Sequence, residues 1–272
     1  MARQINKDTT LCMSLAARPS HFGTRFHNYL YEALGLDYIY KAFTTTDLRA
    51  AIGGVRALGV RGCAISMPFK EACIPMVDAL DASAKAINSV NTLVNTDGWL
   101  TAYNTDYLAI AKLLNDHQVS ADLVFALRGS GGMAKAVACA LKDAGFKNGT
   151  IVARNEVSGQ NLADLYGFDW QPDMAKVQAE LLINVTPMGM AGGPAEQTLA
   201  FDEASIDEAQ VVFDVVALPS EKPLIRYAQS RDKKTITGAE VFAIQAVEQF
   251  VLYTGIRPSD ELFQQAAKFA RA

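Results

Sequence analysis

The chain has 272 residues, of which 50% are hydrophobic and 20% are charged, and its formal net charge is −4. At about 150 residues per domain, this length predicts one large domain or two medium ones with sizeable apolar cores, which excludes a disordered regulator. The mildly acidic balance, without a cluster of Lys and Arg, is unsuited to a nucleic-acid or anionic-membrane surface. The N-terminal residues lack the apolar run of a secretory leader, so we expect a cytoplasmic protein.

The cysteines and histidines show no metal-site pattern. The cysteines lack a C-x-x-C pair and have apolar or helical flanks, which is typical of small buried side chains in a reducing compartment. The histidines lack the i,i+4 spacing of a metal pair. We therefore expect no disulfide and no metal. These residues are Cys12, Cys63, Cys73, Cys139, His21, His27 and His117.

The predicted elements alternate between apolar strands and amphipathic helices, which is typical of an α/β fold around mainly parallel sheets. Asp97-Gly98 favours a tight hairpin because both residues tolerate positive φ. The elements of the first part, in chain order, are a strand at 10–14, a helix at 20–34, a strand at 38–43, a helix at 47–58 and strands at 62–65, 91–95 and 99–103.

The middle of the chain repeats one strand–helix module, which predicts a doubly wound sheet. Two helices follow it, one at 240–253 and one after Pro258 with Ser259 as its N-cap. Because consecutive helices without a strand cannot extend a parallel sheet, we expect them to pack against the N-terminal part. The strands of the repeat are predicted at 123–127, 150–153, 181–185, 211–215 and 235–237.

A glycine-rich turn follows the strand at 123–127. Gly129, Gly131 and Ala134 fit G-x-G-x-x-[G/A] between a strand and a helix. Such glycines let the backbone approach a pyrophosphate, which the N–H groups of the helix N-terminus then hold. The pattern predicts dinucleotide binding. At the end of the next strand, Arg154 favours the 2′-phosphate of NADP, Glu156 favours NAD, and a plain surface charge at Arg154 is the alternative.

Candidate catalytic groups lie upstream of this turn. Lys70 follows an apolar strand and a Pro turn, where a desolvated lysine can shuttle a proton to or from a hydroxyl. A carboxylate such as Asp106 can orient it, and Asn91 and Ser66 suit a polyhydroxylated ligand. The alternative is that Lys70 is a surface residue at a helix start and Asp106 an N-cap.

Six motif blocks are spread over nearly the whole chain: ISMPFKE (65–71), AINSVNT (86–92), NTD (104–106), GSGG (129–132), INVTPMGM (183–190) and the helix start at 238–245. They resemble the motifs of shikimate dehydrogenases and stand in that family's order. The resemblance implies a substrate domain of residues 1–106 with 239–272 and a Rossmann-type NADP-binding domain of residues 107–238. It implies NADP-dependent interconversion of shikimate and 3-dehydroshikimate by hydride transfer at substrate C3.

The resemblance also implies roles for individual residues. Lys70 is implied as the acid/base at the reacting oxygen and Asp106 as its partner. The implied substrate residues are Ser14, Ser66, Asn91 and Gln245. The implied cofactor residues are Gly129, Ser130, Gly131, Gly132 and Met133 at the pyrophosphate, Arg154 at the 2′-phosphate, and Thr186, Met188, Gly189, Val215 and Gly238 on the nicotinamide side.

The chain departs from the family pattern at three places. In place of the N-terminal pair of serines, Ser14, Ser20 and Thr24 compete for the substrate carboxylate. Ser158 stands at the second basic position of the 2′-phosphate site, and Ala217 stands where the family has a Tyr. The pattern resembles a divergent branch.

Two alternative functions therefore remain. One is a dehydrogenase preferring quinate or an amino-shikimate analogue, and the other is an NADP-binding sensor with little catalysis. We expect a small-molecule substrate, no nucleic-acid or membrane partner, and a monomer or homodimer.

Overall fold

The computed structural model describes residues 5–216 and 222–271. Within these ranges the chain forms two compact units. The first comprises the residues up to Thr105 together with those from Ala243 onward, and the second comprises Asp106–Phe242. The chain thus leaves the first unit once, builds the second, and returns.

The strands form two six-stranded sheets, one in each unit. In chain order the strands are β1 (Thr10–Leu15), β2 (Tyr38–Phe43), β3 (Gly62–Ile65), β4 (Ala79–Leu80), β5 (Thr92–Thr96), β6 (Trp99–Tyr103), β7 (Phe125–Arg128), β8 (Gly149–Val152), β9 (Asp169–Gln171), β10 (Leu181–Asn184), β11 (Val211–Asp214) and β12 (Lys234–Thr237).

The helices of the described residues separate these strands. In chain order they are α1 (Phe22–Ala33), α2 (Leu48–Ala57), α3 (Phe69–Ala72), α4 (Ala82–Lys85), α5 (Thr105–Asp116), α6 (Gly132–Asp143), α7 (Glu156–Tyr166), α8 (Glu203–Glu208), α9 (Pro223–Ser230), α10 (Gly238–Thr254) and α11 (Asp260–Arg271), with a 3₁₀ turn at Ile74–Met76.

The sheet of the first unit has the order β2-β1-β3-β5-β6-β4. β1 is parallel to β2 and β3, whereas β5 is antiparallel to β3 and β6. The predicted hairpin is confirmed, because β5 and β6 pair antiparallel on either side of Asp97 and Gly98, whose φ values are +53° and +87°. These positive values match the right-handed twist of the two flanking strands.

The sheet of the second unit is wholly parallel, in the order β12-β11-β10-β7-β8-β9. From the centre of the sheet, β7, β8 and β9 follow one another toward one edge, and β10, β11 and β12 follow one another toward the opposite edge. This reversal is the doubly wound pattern that the sequence predicts, and it creates a switch point between β7 and β10.

The last helix packs against the N-terminal helix within the first unit. The ring of Phe263 on α11 packs edge to face against the ring of Phe26 on α1, with the ring centroids 6.3 Å apart. The ring centroids of Phe269 on α11 and Tyr29 on α1 lie 5.1 Å apart. Ser259 caps α11, because its Oγ accepts a hydrogen bond from the Leu262 N–H at 3.3 Å. The predicted packing of the last helix against the N-terminal part and the predicted Ser259 cap are therefore both confirmed within the first unit.

Helix α10 approaches the same sheet closely at Gly62. A Cβ atom on Gly62 would lie 2.2 Å from the ring of Tyr253, so a larger residue would push the helix away. Arg61 adds a polar tie, since its guanidinium donates to the carbonyls of Tyr253 at 3.1 Å and Asn95 at 2.8 Å.

The four-residue helices α3 and α4, the two-residue β4 and the three-residue β9 are absent from the predicted elements. Elements this short complete barely one period, so their sequences show no helical or alternating pattern. The cysteines are all free and buried, as expected. Over residues 5–216 and 222–271, no helix is both long and apolar enough to span a membrane.

His27 lies in the core of the first unit and is fully buried. Its ring stacks on Tyr40 with centroids 4.4 Å apart, and the ring of Phe250 lies at 6.2 Å. Burial lowers the pKa of His27 from 6.5 to about 3, because the apolar surroundings disfavour the imidazolium. His27 therefore stays neutral in the folded protein at mildly acidic pH.

This burial predicts a specific loss of stability in acid. Below pH 6.5 the unfolded chain protonates His27 while the folded chain does not, so the free energy of unfolding falls until pH approaches 3. Replacement His27→Phe should flatten the pH dependence of the free energy of unfolding in this window by up to about 1.4 kcal/mol per pH unit. Urea unfolding at several pH values measures it. The exposed His21→Gln is the matched control, and an unchanged slope in His27→Phe would contradict the prediction.

Candidate active site

Backbone hydrogen bonds gather several strand ends at one edge of the first sheet. Ser66 N–H donates to the Leu15 carbonyl at 2.9 Å, and Ile65 N–H donates to the Asn91 carbonyl at 2.7 Å. Asn91 N–H in turn donates to the Tyr103 carbonyl at 3.0 Å. The residues that end β1, β3 and β6 and the one that precedes β5 are therefore immediate neighbours at the carboxyl edge of this sheet.

Lys70 and Ser66 lie at this edge. Ser66 is exposed directly after β3, and Lys70 is half-buried in the short helix α3. The Lys70 carbonyl accepts a hydrogen bond from Val90 N–H at 2.9 Å, which ties α3 to the segment that leads into Asn91. The first unit thus brings Ser66, Lys70 and Asn91 together in space from two distant stretches of sequence.

The three candidates for a substrate carboxylate differ in their surroundings. Ser14 is half-buried near the end of β1, close to the phenol of Tyr40. Ser20 is exposed before α1, and Thr24 is half-buried in the first turn of that helix. Ser14 alone of the three lies on the strand whose end contacts Ser66.

Asn91 is fully buried and its side chain is bonded within the protein. Its Oδ1 accepts from Thr105 N–H at 2.8 Å and from the Thr92 hydroxyl at 2.8 Å, while its Nδ2 donates to Thr105 Oγ1 at 3.0 Å. Asn91 therefore holds Thr105, the last residue of this stretch of the first unit, beside the start of β5. Its side chain supports the edge of the sheet.

Gln249 on α10 belongs to the same cluster, and sequence reasoning missed it. The side chain is buried, and its Nε2 donates to Thr92 Oγ1 at 3.0 Å and to the Asn91 carbonyl at 3.3 Å. Its position one turn beyond Gln245 on an apolar helix was the available signal. Gln245 is half-buried and lies one turn, about 6 Å, nearer the start of the helix than Gln249.

Asp106 lies in the first turn of α5 and is buried, with 1% of its surface exposed. The residue belongs to the second unit, whereas Thr105 just before it belongs to the first. Asn104 is anchored in the first unit, since its Nδ2 donates to the Ser89 carbonyl at 2.9 Å and its N–H to Ser83 Oγ at 3.1 Å.

The glycine-rich turn of the second unit connects β7 to α6. Gly129 has a φ of +126°, and a Cβ atom there would lie 2.7 Å from Val185 Cγ2, so both the conformation and the space demand glycine. Gly131 is the N-cap of the twelve-residue α6 and makes no side-chain cap, and a Cβ there would meet open space. Ser130, Gly132 and Met133 complete a turn whose N–H groups suit an anion.

The remaining cofactor candidates line the same carboxyl edge. Val185 N–H donates to the Arg128 carbonyl at 3.1 Å, and Val215 N–H donates to the Asn184 carbonyl at 2.9 Å, so the ends of β7, β10 and β11 adjoin. The candidates at these strand ends and at the end of β12 are Thr186, Met188, Gly189, Val215 and Gly238.

Arg154 follows β8 and is exposed. Arg128, which sequence reasoning missed, ends the adjacent β7 and donates to the Ala200 carbonyl. Burial, and then the positive charge of Arg154, lower the pKa of the Arg128 guanidinium, so the two cations lie near one another. Ser158 on α7 stands where the family has a second basic residue. Its hydroxyl forms a hydrogen bond with the Ser130 hydroxyl, with the two Oγ atoms 2.7 Å apart. A charged residue directly before the glycine turn was the signal for Arg128.

Two remaining expectations concern metal binding and the position at which the family has a Tyr. Among the described residues, no group of three or more His, Cys, Asp and Glu side chains is arranged to hold a metal ion. Ala217, the position of the family's Tyr, lies outside the described residues.

Comparison with known proteins identifies the family. The family model for the shikimate dehydrogenase substrate binding domain matches residues 22–93. The chain is 60% identical over 267 residues, 98% of each chain, to a shikimate dehydrogenase-like protein of Haemophilus influenzae.

Two solved structures are similar over the whole fold. One is shikimate 5-dehydrogenase of Thermus thermophilus in complex with NADP(H) and shikimate, with a TM-score of 0.86, 27% identity, and 96% of this chain and 99% of that chain covered. The other is quinate dehydrogenase of Corynebacterium glutamicum in complex with NAD, with a TM-score of 0.86, 26% identity, and 96% and 98% covered. With this fold and a 60% identical relative, the chain belongs to the shikimate dehydrogenase family.

Proposed function

We propose that this protein is an NADP-dependent oxidoreductase that interconverts shikimate and 3-dehydroshikimate. The observation that carries the proposal is the grouping of Ser66, Lys70 and Asn91 at the carboxyl edge of the first sheet. These residues come from two motif blocks that resemble the family's, and the geometry brings the blocks side by side. We assign substrate binding to the first unit and cofactor binding to the second.

The second unit fits a dinucleotide phosphate. Its glycine turn lies at the switch point of a doubly wound sheet, where ligands of such folds bind. Gly131 leaves open space above the N-terminus of α6, whose unpaired N–H groups and dipole favour a pyrophosphate. When bound, NADP accepts or supplies the hydride.

Lys70 is proposed as the acid/base and Asp106 as its partner. In the oxidation, the Lys70 amine takes the proton of the substrate C3 hydroxyl as the hydride leaves that carbon, and in the reduction the ammonium returns it. Ser66 and Ser14 supply hydroxyl groups for the substrate, and Gln245 supplies an amide. Asn91, whose own side chain is internally bonded, contributes chiefly by fixing the sheet edge.

Quinate is the second candidate substrate. Its support is that a quinate dehydrogenase structure matches this chain as well as a shikimate dehydrogenase structure does, each with a TM-score of 0.86. Ser14, Ser20 and Thr24 stand in place of the family's N-terminal pair of serines, so the residues available for a substrate carboxylate depart from the family pattern. Measurement of kcat/KM for shikimate and quinate, each with NADP⁺ and NAD⁺, separates the two, and an absence of turnover on both would overturn the proposed function.

Replacement of Lys70 tests the proposed chemistry. Lys70→Met should lower kcat by about 10²-fold or more with little change in KM, because the variant loses proton transfer and keeps the substrate contacts. Steady-state kinetics with the preferred substrate measure both constants. Lys85→Met, which removes an exposed lysine from α4 of the same unit, is the matched control. An unchanged kcat in Lys70→Met would exclude the acid/base role.

Replacement of Arg154 tests the cofactor preference. Arg154→Ala should weaken NADP⁺ by about ten- to a hundredfold, since a hydrogen bond to a charged group contributes about 1.5–3 kcal/mol, and should leave NAD⁺ unchanged. The KM values for the two cofactors measure the ratio. Arg226→Ala removes an exposed arginine of the same unit and serves as the control. Equal losses for both cofactors would show that Arg154 does not contact the 2′-phosphate.

A further inference from the structure

A buried lysine in the second unit has no role in the function proposed above. Lys222 precedes α9, and only 1% of its side chain is exposed. Its Nζ lies 3.0 Å from Oδ1 of Asp214, which is equally buried, and it also donates to the Val216 carbonyl. Burial lowers the pKa of Lys222 and raises that of Asp214, and the attraction between the two opposes both effects.

Asp214 extends this ion pair into the loop that follows β11. Besides Lys222, its Oδ1 accepts from Val216 N–H at 3.1 Å and from Asn184 Nδ2 at 3.2 Å. Val216 is therefore held at both its N–H and its carbonyl. A Cβ atom on Gly238, the residue that follows β12, would lie 2.2 Å from the Val216 carbonyl oxygen, so the backbone there lies tightly against the same peptide.

Asn184 extends the network into the loop that follows β10. Its Oδ1 accepts from the Thr186 N–H at 3.0 Å and the Thr186 hydroxyl at 2.6 Å, and its Nδ2 donates to the Met188 carbonyl at 3.3 Å. The aliphatic stem of Lys222 packs on this same loop. Its Cδ would lie 3.3 Å from a Cβ atom on Gly189, whose φ is +80°. One chain of polar contacts thus joins the loop at 186–189 to the loop at 215–216.

Stability alone gives little reason for a buried ion pair here. Removing two charges from water costs about as much as their attraction returns, so well-packed apolar residues of the same volume serve stability equally well. An ion pair with hydrogen bonds differs in being directional, and it holds its partners at defined positions. Here those partners are backbone atoms of two loops that the proposed function places beside the nicotinamide.

We propose that Lys222, through Asp214 and Asn184, is a positioning residue that holds the loops at 186–189 and 215–216 in the arrangement that the nicotinamide half of NADP requires. The inference rests on the proposed function, because it presumes that the second unit binds NADP at these loops. The adenosine half, which the proposed function assigns to Arg154, lies outside the network, since none of the contacts above reaches β8 or α7.

Binding of a whole and a half cofactor tests this division. The Lys222→Met variant keeps the stem that packs on Gly189 and removes the ammonium. The dissociation constants of NADPH and of adenosine 2′,5′-bisphosphate are measured by calorimetry. NADPH should bind about tenfold or more weakly to this variant, because small displacements of positioning groups have effects of this size. Adenosine 2′,5′-bisphosphate should bind within about twofold of the wild type, because the network makes no contact with β8 or α7. A tenfold change in its dissociation constant would correspond to about 1.4 kcal/mol.

Two further variants keep the test decisive. Lys222→Met combined with Asp214→Asn removes both charges, so it avoids a lone buried carboxylate and should fold if the single variant does not. It still lacks the bond to the Val216 carbonyl and should show the same selective loss of NADPH. Lys147→Met, an exposed lysine between α6 and β8, should bind both probes as the wild type does.

The inference is overturned if the Lys222 variants bind both probes normally, lose both in equal proportion, or all fail to fold, since each result means that the network does not act selectively on the nicotinamide loops. Failure of the wild-type protein to bind NADPH would overturn the proposed cofactor as well. Normal binding by the wild type with unaffected variants overturns this inference alone.

Discussion

Hydrogen bonds between neighbouring strands at one edge of each sheet are the constraint on which both candidate sites depend. In the first unit, the bond from Ser66 N–H to Leu15 and the bond from Ile65 N–H to Asn91 bring three distant segments to one edge. In the second, the bonds from Val185 to Arg128 and from Val215 to Asn184 do the same. Parallel strands end at a common edge, and the antiparallel β5 begins at that edge of the first sheet, so the polar residues that flank these strand ends converge there.

A buried asparagine stabilises each of these edges in a similar way. Asn91 Oδ1 accepts from the N–H and hydroxyl of Thr105, and Asn184 Oδ1 accepts from the N–H and hydroxyl of Thr186. Irregular backbone at a strand end has unpaired N–H groups, and burying one without a partner costs about 1–3 kcal/mol. The asparagine amide satisfies these groups where no neighbouring strand can. The loops that carry the candidate functional residues are thereby ordered.

The charge distribution of the second unit explains how an acidic protein could hold an anionic cofactor. The chain carries a net charge of −4, yet Arg128 and Arg154 lie near one another at the ends of β7 and β8. The N-terminus of α6 adds oriented N–H groups at the adjacent turn. Local cations and a helix end therefore create a favourable field for phosphate, which the total charge does not reveal.

Much of the fold was readable in the sequence, because its signals are local. Apolar runs of strand length, the Asp97-Gly98 turn and the Ser259 cap each depend on neighbouring residues, and all three are confirmed. The short elements α3 and β9 were missed, since pairing with distant segments stabilises them more than their own pattern does. Conversely, the glycine turn is predictable because only glycine accepts the φ of +126° at Gly129.

The sequence by itself determined the α/β class, the glycine turn and the list of candidate residues, through residue type and spacing. Tertiary structure alone decided how those residues are used. Asn91 is a candidate ligand in the sequence, but its buried amide is bonded to Thr105. Lys222 resembles any surface lysine before a proline, but it is buried against Asp214. Burial and pairing are properties of segments that meet only after folding, so no local pattern encodes them.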